Sequence, residues 1–137
     1  RKKLSGPIMD RIDIHLTVPA VDVNNLMVPK EDNQNEKSEI IKKRVVEARK
    51  IQTERFKNLD HVHCNSDMKN RHLKDFANLT GEANLLLKQA VNKFNLSARV
   101  YFRLIKVART IADLDKSNEI KENHIAEALQ YRVKSED

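Results

Sequence analysis

The spacing of apolar residues predicts helices along most of the chain. From residue 38 onward, apolar side chains recur every three or four positions, which places them on one face of an α-helix. We predict five helices, at Ser38–Lys57, Asn70–Ala77, Thr80–Phe94, Ser97–Asp115 and Lys121–Arg132. The strongest apolar stripe lies in the fourth and consists of Tyr101, Leu104, Ile105, Ala108, Ile111 and Ala112. The pattern indicates a mainly α fold, a small bundle of four to five helices organised around the fourth.

Hydroxyl side chains at the predicted helix starts support these boundaries. Ser38, Thr80 and Ser97 can each accept a hydrogen bond from a free backbone N–H group of the first turn. Only Asn95 and Leu96 separate the third and fourth helices. So short a connection predicts that these two helices pack side by side, roughly antiparallel.

The N-terminal part of the chain follows a different pattern. Polar residues there alternate with Ile12, Ile14, Leu16 and Val18, which is the period of a β-strand. No second strand is predicted that could pair with it, and residues 30–37 are a polar run typical of a linker. We therefore expect residues 1–37 to be a flexible segment with an orphan strand, largely unstructured in isolation. Residues 38–137 are expected to form the helical domain.

The chain has a basic charge balance, with a formal net charge of +6 and an isoelectric point near 9.5. Six cations follow the polar face of the first predicted helix: Lys42, Lys43, Arg44, Arg49, Lys50 and Arg55. Such a face is usually a solvated helix surface. Its alternative role is contact with the phosphates of a nucleic acid. The sequence leaves both interpretations open.

Composition argues against a disulfide-stabilised protein and against a membrane-spanning one. The single cysteine, Cys64, cannot form an internal disulfide and fits a reducing cytosol. No apolar run reaches the length of a membrane span, so we expect a cytoplasmic protein without a membrane partner. The chain begins with Arg1 rather than methionine, and we expect it to be a piece of a longer protein.

Potential metal ligands cluster in one predicted loop. His61, His63 and Cys64 lie close together in the sequence, and His72 follows nearby. Their side chains are of the type that binds zinc, but the spacing does not match a common structural site and no second ligand pair exists. We therefore predict no metal site. A catalytic cysteine–histidine pair is not predicted either, because no third group is placed to orient the histidine.

One cation occupies an unusual position. Arg99 follows the predicted cap Ser97 and lies in the first turn of the fourth helix. The N-terminus of a helix carries partial positive charge and favours anions, so a cation there is slightly unfavourable. A solvated arginine is one interpretation. The other is a bound phosphate, which both the helix end and the guanidinium would attract.

Both ends of the chain resemble a known family. The matching stretches read LSGPIMDRIDIH at residues 4–15, LSAR at 96–99, IKVARTIADL at 105–114 and HIAEALQYR at 124–132. They resemble the magnesium-chelatase-related group of AAA+ ATPases, in particular the competence proteins of the ComM/YifB type. The first stretch is similar to the end of the AAA+ core, and the others are similar to the C-terminal helical lid that follows it.

The resemblance implies roles for two arginines. Arg99 is similar to the sensor-2 arginine of AAA+ lids, which contacts the γ-phosphate of ATP in its own subunit. Arg11 is similar to the arginine finger, a catalytic residue that reaches the nucleotide of the neighbouring subunit. From the residues alone, an ion pair of Arg11 with Asp10 or Asp13 is the simpler interpretation.

The resemblance also implies cofactors and partners for a full-length protein. ATP and Mg²⁺ would be its cofactors. The protein's own AAA+ core would be the partner of the lid, and the subunits would assemble into a homo-oligomeric ring. DNA handled in competence or recombination is the implied substrate, with a protein remodelled as in metal chelation as the alternative.

The chain lacks the central parts of an ATP site. A P-loop needs a glycine-rich turn that ends in Gly-Lys-Ser or Gly-Lys-Thr, whereas Gly6 precedes Pro7 and Gly81 precedes Glu82. We therefore expect the chain alone neither to hydrolyse ATP nor to hold ATP and Mg²⁺ tightly. Two alternatives to the lid hypothesis stay open: a basic helical module that binds nucleic acid, and a helical domain that binds another protein.

Overall fold

The computed structural model describes residue 8, residues 11–20 and residues 36–132. It contains five α-helices: α1 (Ser38–Phe56), α2 (Asn70–Phe76), α3 (Gly81–Phe94), α4 (Ala98–Leu114) and α5 (Glu122–Gln130). One turn of 3-10 helix, at Asn65–Asp67, precedes α2. No β-strand is present in the described part of the chain. The predicted mainly helical fold is therefore confirmed, and the helix bounds differ from the prediction only at the helix ends.

Helix α4 lies at the centre of the core, as its apolar stripe predicts. Leu104 and Ile105 are buried, and Ala108 and Ala112 have no exposed surface at all. Alanine at these positions leaves room for neighbouring helices to approach α4 closely. The helix packs against α5 and α1 and also contacts the 3-10 turn and α2. Because four elements converge on it, α4 fixes the positions of the groups described below.

Helix α3 has a different main partner from the one that its short connection to α4 predicts. It packs principally against α5, which in turn packs against α4. The chain leaves α3 through Asn95, whose backbone is in the left-handed conformation with φ of 45°. This residue ends the helix and redirects the chain before α4 begins. The predicted side-by-side packing of α3 and α4 is therefore wrong.

Two of the three predicted helix caps are confirmed. The Thr80 hydroxyl accepts a hydrogen bond from the backbone N–H of Ala83, and the Ser97 hydroxyl accepts one from Val100, both at 3.3 Å. The prediction for Ser38 is wrong, because Lys37 occupies the N-cap position of α1 and makes no side-chain cap bond. Helix α1 thus begins without the cap that stabilises α3 and α4.

The described part of the N-terminal segment, residues 11–20, lies against the helices without forming a strand. The backbone N–H of His15 donates to the carbonyl of Tyr131 at 2.8 Å, just beyond the end of α5. A β-ladder needs a second extended backbone, and the described residues provide none beside it. The predicted orphan strand is therefore extended coil. Most of the predicted linker at residues 30–37 falls outside the described ranges.

None of the helices in the described ranges combines the length and the apolar character that crossing a membrane requires.

Candidate functional site

Arg99 lies in the exposed first turn of α4. That turn contains no acidic residue, and its cap is the neutral hydroxyl of Ser97. No hydrogen bond or ion pair joins the Arg99 guanidinium to another residue in the described part of the chain. A cation with free donors therefore stands at the positive end of the central helix, as the sequence predicts.

A groove of about 850 Å³ runs along α4 from Ala98 to Leu114, with Arg99 near one end of it. Its walls are α4, residues of the N-terminal segment such as Asp13, and the region around Tyr131 after α5. Three cations of α4 line it, at Arg99, Arg103 and Lys106, because spacings of four and three residues place side chains on one helix face. Much of the remaining wall is apolar and consists of Ile14, Leu16, Phe102, Val107, Ile111 and Leu114.

Two of the three groove cations already have partners. Arg103 donates to the carbonyl oxygen of Ile12 at 2.9 Å and forms an ion pair with Asp13 at 3.2 Å. Lys106 donates through Nζ to the carbonyl oxygen of Ser66 at 3.1 Å. Arg99 is therefore the groove cation that the described residues leave available for an anion.

The acidic groups of the groove are also engaged. Glu127 accepts a hydrogen bond of 2.8 Å from the Tyr131 hydroxyl. That bond raises the pKa of Tyr131, because losing the proton would leave two negative oxygens in contact. Asp13 is held by Arg103. Neither carboxylate neutralises Arg99.

The structure does not bring Arg11 and Arg99 to one site. Arg11 is exposed and does not line the groove, and its backbone N–H donates to the carbonyl of Ile8 at 3.0 Å. Of the two ion-pair partners that the sequence offers Arg11, Asp13 pairs with Arg103, and no ion pair of Asp13 with Arg11 is present, although both lie in the described part of the chain. Asp10, the other proposed partner, lies outside the described residues.

A second charged cluster, which sequence reasoning missed, is buried near the other end of α4. Asp113 and Arg109 are each only 1 % exposed. Asp113 accepts hydrogen bonds from both terminal nitrogens of Arg55 in α1, from Arg109 Nε at 3.1 Å, and from the side-chain amide of Asn65 at 2.8 Å. One carboxylate thus joins α1, α4 and the 3-10 turn.

Arg109 uses its remaining donors on the chain that leaves α4. They reach the carbonyl oxygens of Asn118 at 2.8 Å and Ser117 at 2.5 Å. Burial lowers the pKa of Arg109, because desolvation disfavours its charged form, although the negative charge of Asp113 opposes that effect. All three nitrogens of this guanidinium are bonded within the protein and the residue is almost fully buried, so the cluster is structural.

The cationic face predicted on the first helix is therefore one residue smaller. Arg55 was assigned to it, but its side chain is 14 % exposed and pairs with Asp113. The helical spacing of Arg55 from Ala48 and Gln52, which are buried, places it near the core side of α1. Arg44 is exposed and pairs with Glu36 at 2.7 Å. Lys42, Lys43, Arg49 and Lys50 are exposed on α1.

The loop of histidines and the cysteine serves a local turn. Asp67 accepts hydrogen bonds from the backbone N–H groups of His63 at 2.9 Å and Cys64 at 3.1 Å, and from the Cys64 thiol at 3.3 Å. These bonds lower the pKa of Asp67, with the His63 bond contributing most. Among the described residues, no three His, Cys, Asp or Glu side chains are grouped so that they could hold a metal ion.

The family of this chain follows from comparison with known proteins. Residues 35–132 match the family described as magnesium chelatase, subunit ChlI C-terminal. The match covers more than half of the chain and includes all five helices. The chain therefore belongs to this family, and the resemblance that its motifs indicate is confirmed.

Individual relatives narrow this placement. The chain is 35 % identical over 131 residues to the competence protein ComM of Haemophilus influenzae. It is also 35 % identical over 134 residues to YifB of Escherichia coli, and 33 % identical over 131 residues to YifB of Salmonella typhimurium, two proteins described as uncharacterized. Each match covers 96 % of this chain and 24 % of the relative. The chain thus spans about a quarter of the length of the relatives that it matches.

Proposed function

We propose that this chain is the helical lid of an AAA+ ATPase related to magnesium chelatase, and that Arg99 is its sensor-2 arginine. In this role Arg99 contacts the γ-phosphate of ATP held mainly by a core domain of the same subunit. The observation that carries the proposal is the unpaired Arg99 guanidinium at the N-terminus of α4, on the wall of a large groove. Membership of the magnesium chelatase family supports it.

The chemistry of this position suits a phosphate. The first backbone N–H groups of a helix and its dipole attract anions. Arg99 adds a planar, permanently charged group whose donors spread over several phosphate oxygens. Without an anion, the helix end and the guanidinium repel each other, so a phosphate removes an unfavourable interaction and also gains hydrogen bonds.

Arg11 is proposed to be the arginine finger of the same ATPase. It is exposed and is not among the residues that line the groove beside Arg99. A residue that serves the nucleotide of a neighbouring subunit in a ring needs both properties, because its target lies outside its own chain. In related nucleotide hydrolases, a supplied arginine raises the rate by about 10³–10⁵-fold.

In this role, the other parts of the ATP site come from regions of the full-length protein outside this chain. The sequence contains no P-loop, and the described residues offer no cluster of ligands that would hold Mg²⁺. The chain would complete a site built elsewhere, and lid movement would couple the state of the nucleotide to the position of the subunits.

The decisive experiment is the ATPase activity of the full-length protein with Arg99→Ala. We expect kcat to fall about 10- to 100-fold, the equivalent of the roughly 1.5–3 kcal/mol that a hydrogen bond to a charged group contributes. Arg99→Lys should recover only part of the activity, since it keeps the charge but loses the planar fork. Arg71→Ala, which removes an exposed arginine of α2 outside the groove, is the matched control. Unchanged turnover in Arg99→Ala would contradict the sensor-2 role.

DNA is the proposed substrate of this motor, with the cationic face of α1 as a contact. One relative is named a competence protein, and Lys42, Lys43, Arg49 and Lys50 are exposed on α1. This face would serve equally in the second candidate function, a nucleic-acid-binding module without an ATPase role.

Binding of fluorescent single-stranded and duplex DNA to this chain at two salt concentrations tests the cationic face. Phosphate contacts make affinity fall with added salt, with a slope of about 0.9 per contact for duplex DNA. The double variant Lys42→Gln/Lys43→Gln should weaken binding and reduce that slope. Lys88→Gln/Lys93→Gln on α3 is the control, since it removes the same charge elsewhere. Equal losses in the two variants would show that only net charge matters, and that α1 is not the contact.

A further inference from the structure

Arg103 connects the central helix to the N-terminal segment across 91 positions of sequence. It lies one turn after Arg99 on the same face of α4. Its Nη1 donates to the carbonyl oxygen of Ile12 at 2.9 Å, and its Nε lies 3.2 Å from Oδ1 of Asp13. The Arg103 side chain is only 16 % exposed. One guanidinium therefore holds a backbone group and a carboxylate of two adjacent residues.

The apolar side chains of the segment that Arg103 holds are only partly buried. Ile12, Ile14 and Leu16 remain 43 %, 50 % and 69 % exposed. A second link is the hydrogen bond from the backbone of His15 to Tyr131, at the end of α5. The polar contacts of Arg103 and His15 therefore help to hold this segment against the helices, and those of Arg103 involve Ile12 and Asp13, which are closest in sequence to Arg11.

We infer that Arg103 is a positioning residue that couples Arg99 to Arg11. The inference rests on the proposed function, which gives these two arginines the nucleotides of different subunits. Arg11 is bonded directly to Ile12, the residue whose carbonyl Arg103 holds. Arg99 and Arg103 share a rigid helix and lie about 6 Å apart along its axis. A shift of this end of α4 toward a phosphate is therefore passed through Arg103 to Ile12 and Asp13, and so to Arg11.

The contacts of Arg103 with Ile12 and Asp13 are better suited to passing on a movement of α4 than to stabilising the folded state. Asp13 is 55 % exposed, and ion pairs with one exposed partner contribute little to folding. The planar fork of arginine nevertheless fixes direction, because Nη1 and Nε must meet two separate acceptors at once. Lysine could satisfy either acceptor but could not fix the angle between them.

A double-mutant comparison of ATPase kinetics in the full-length protein tests the inference. Arg103→Ala should lower kcat about 10- to 100-fold, the size of effect that a misplacement of about 1 Å produces, with KM for ATP changed less than about twofold. Arg103→Lys should recover part of the loss, and Asp13→Asn should lower kcat in the same direction. In the Arg11→Ala background, adding Arg103→Ala should cause no further loss, because the position of an absent finger does not matter. Lys74→Ala, on the exposed face of α2, is the control.

These kinetics distinguish a failure of the coupling through Arg103 from a failure of the arginine-finger role of Arg11. If Arg11→Ala lowers kcat but Arg103→Ala does not, the coupling is wrong and the finger stands. If the two losses multiply in the double variant, Arg103 acts elsewhere and the coupling is again wrong. If Arg11→Ala leaves kcat unchanged, both the finger and the coupling fail.

Hydrogen–deuterium exchange of this chain gives a readout that is independent of activity. Arg103→Ala should speed exchange at the His15 amide about 10-fold or more, while the amides of α3 stay as slow as in the parent chain. That result also shows that the variant is folded. Equal exchange at His15 in the two chains would mean that Arg103 does not hold the segment, which overturns the inference.

Discussion

The two ends of α4 use arginine in opposite ways. At the N-terminal end, Arg99 is exposed and no described residue accepts from its guanidinium. Ten residues later, Arg109 is buried and donates to Asp113, Asn118 and Ser117. Arginine is thus a candidate for binding a ligand at one end of the helix and a residue that stabilises the fold at the other. The difference lies in how many of its donors the protein already occupies.

This contrast gives a criterion for separating functional from structural cations. A buried guanidinium must be paired and hydrogen-bonded, because a buried charge left unpaired is strongly unfavourable. Once its donors are used, it can bind nothing else. Arg103 is an intermediate case, since it is partly buried and bonded to Ile12 and Asp13, in a segment that is itself largely exposed. Unoccupied hydrogen-bond donors, rather than charge alone, therefore identify the arginines that are available to bind a ligand.

The largest expected change in the free energy of unfolding is that of Asp113→Ala. It would leave the guanidinium groups of Arg55 and Arg109 without their shared carboxylate in the core. Breaking one partner out of a buried ion pair costs about 3–5 kcal/mol. Urea unfolding of this chain, followed by circular dichroism, measures the loss. Asp75→Ala removes an exposed carboxylate from α2 and should change little.

A loss below about 1 kcal/mol for Asp113→Ala would break the comparison, since the buried end would then be no more structural than an exposed ion pair.

The smallest effect is expected from Arg99→Ala on stability. The change in the free energy of unfolding should stay within about 0.5 kcal/mol, as for most surface substitutions. Its sign should be slightly stabilising, because the substitution removes a cation from the positive end of a helix. The same urea titration measures it, and added salt should shrink the difference by screening. A loss as large as that of Asp113→Ala would mean that Arg99 is structural and that the two ends of α4 do not differ.

The sequence predicts the helices well because their signals are local. Apolar spacing and the hydroxyl caps at Thr80 and Ser97 depend on residues within one or two turns, and both caps form as expected. The first-turn position of Arg99 is equally local, so its oddity could be read directly. The groove beside it depends on residues far apart in the chain, such as Asp13, Thr110 and Tyr131, and no local pattern indicates it.

The buried charge cluster could not be predicted from the same kind of pattern. Arg109 and Asp113 have the spacing of an ordinary surface pair on a helix, and only their position next to Ala108 and Ala112 hints at burial. Arg55 looks like one of six surface cations until α1 is docked on α4. The alternation around Ile14 predicts a strand, but a strand also needs a neighbouring backbone, which a one-dimensional pattern cannot supply.

The ion pair between Arg55 and Asp113 also bears on the order in which the chain folds. Its partners are 58 residues apart, whereas α3, α4 and α5 follow one another with short connections. Closing the longer loop loses more chain entropy, so α1 is expected to dock after the other helices have met. Contacts formed that late are weak in the folding transition state and mainly slow unfolding. The buried carboxylate of Asp113 is thus expected to lower mainly the rate at which α1 detaches during unfolding, with little effect on the folding rate.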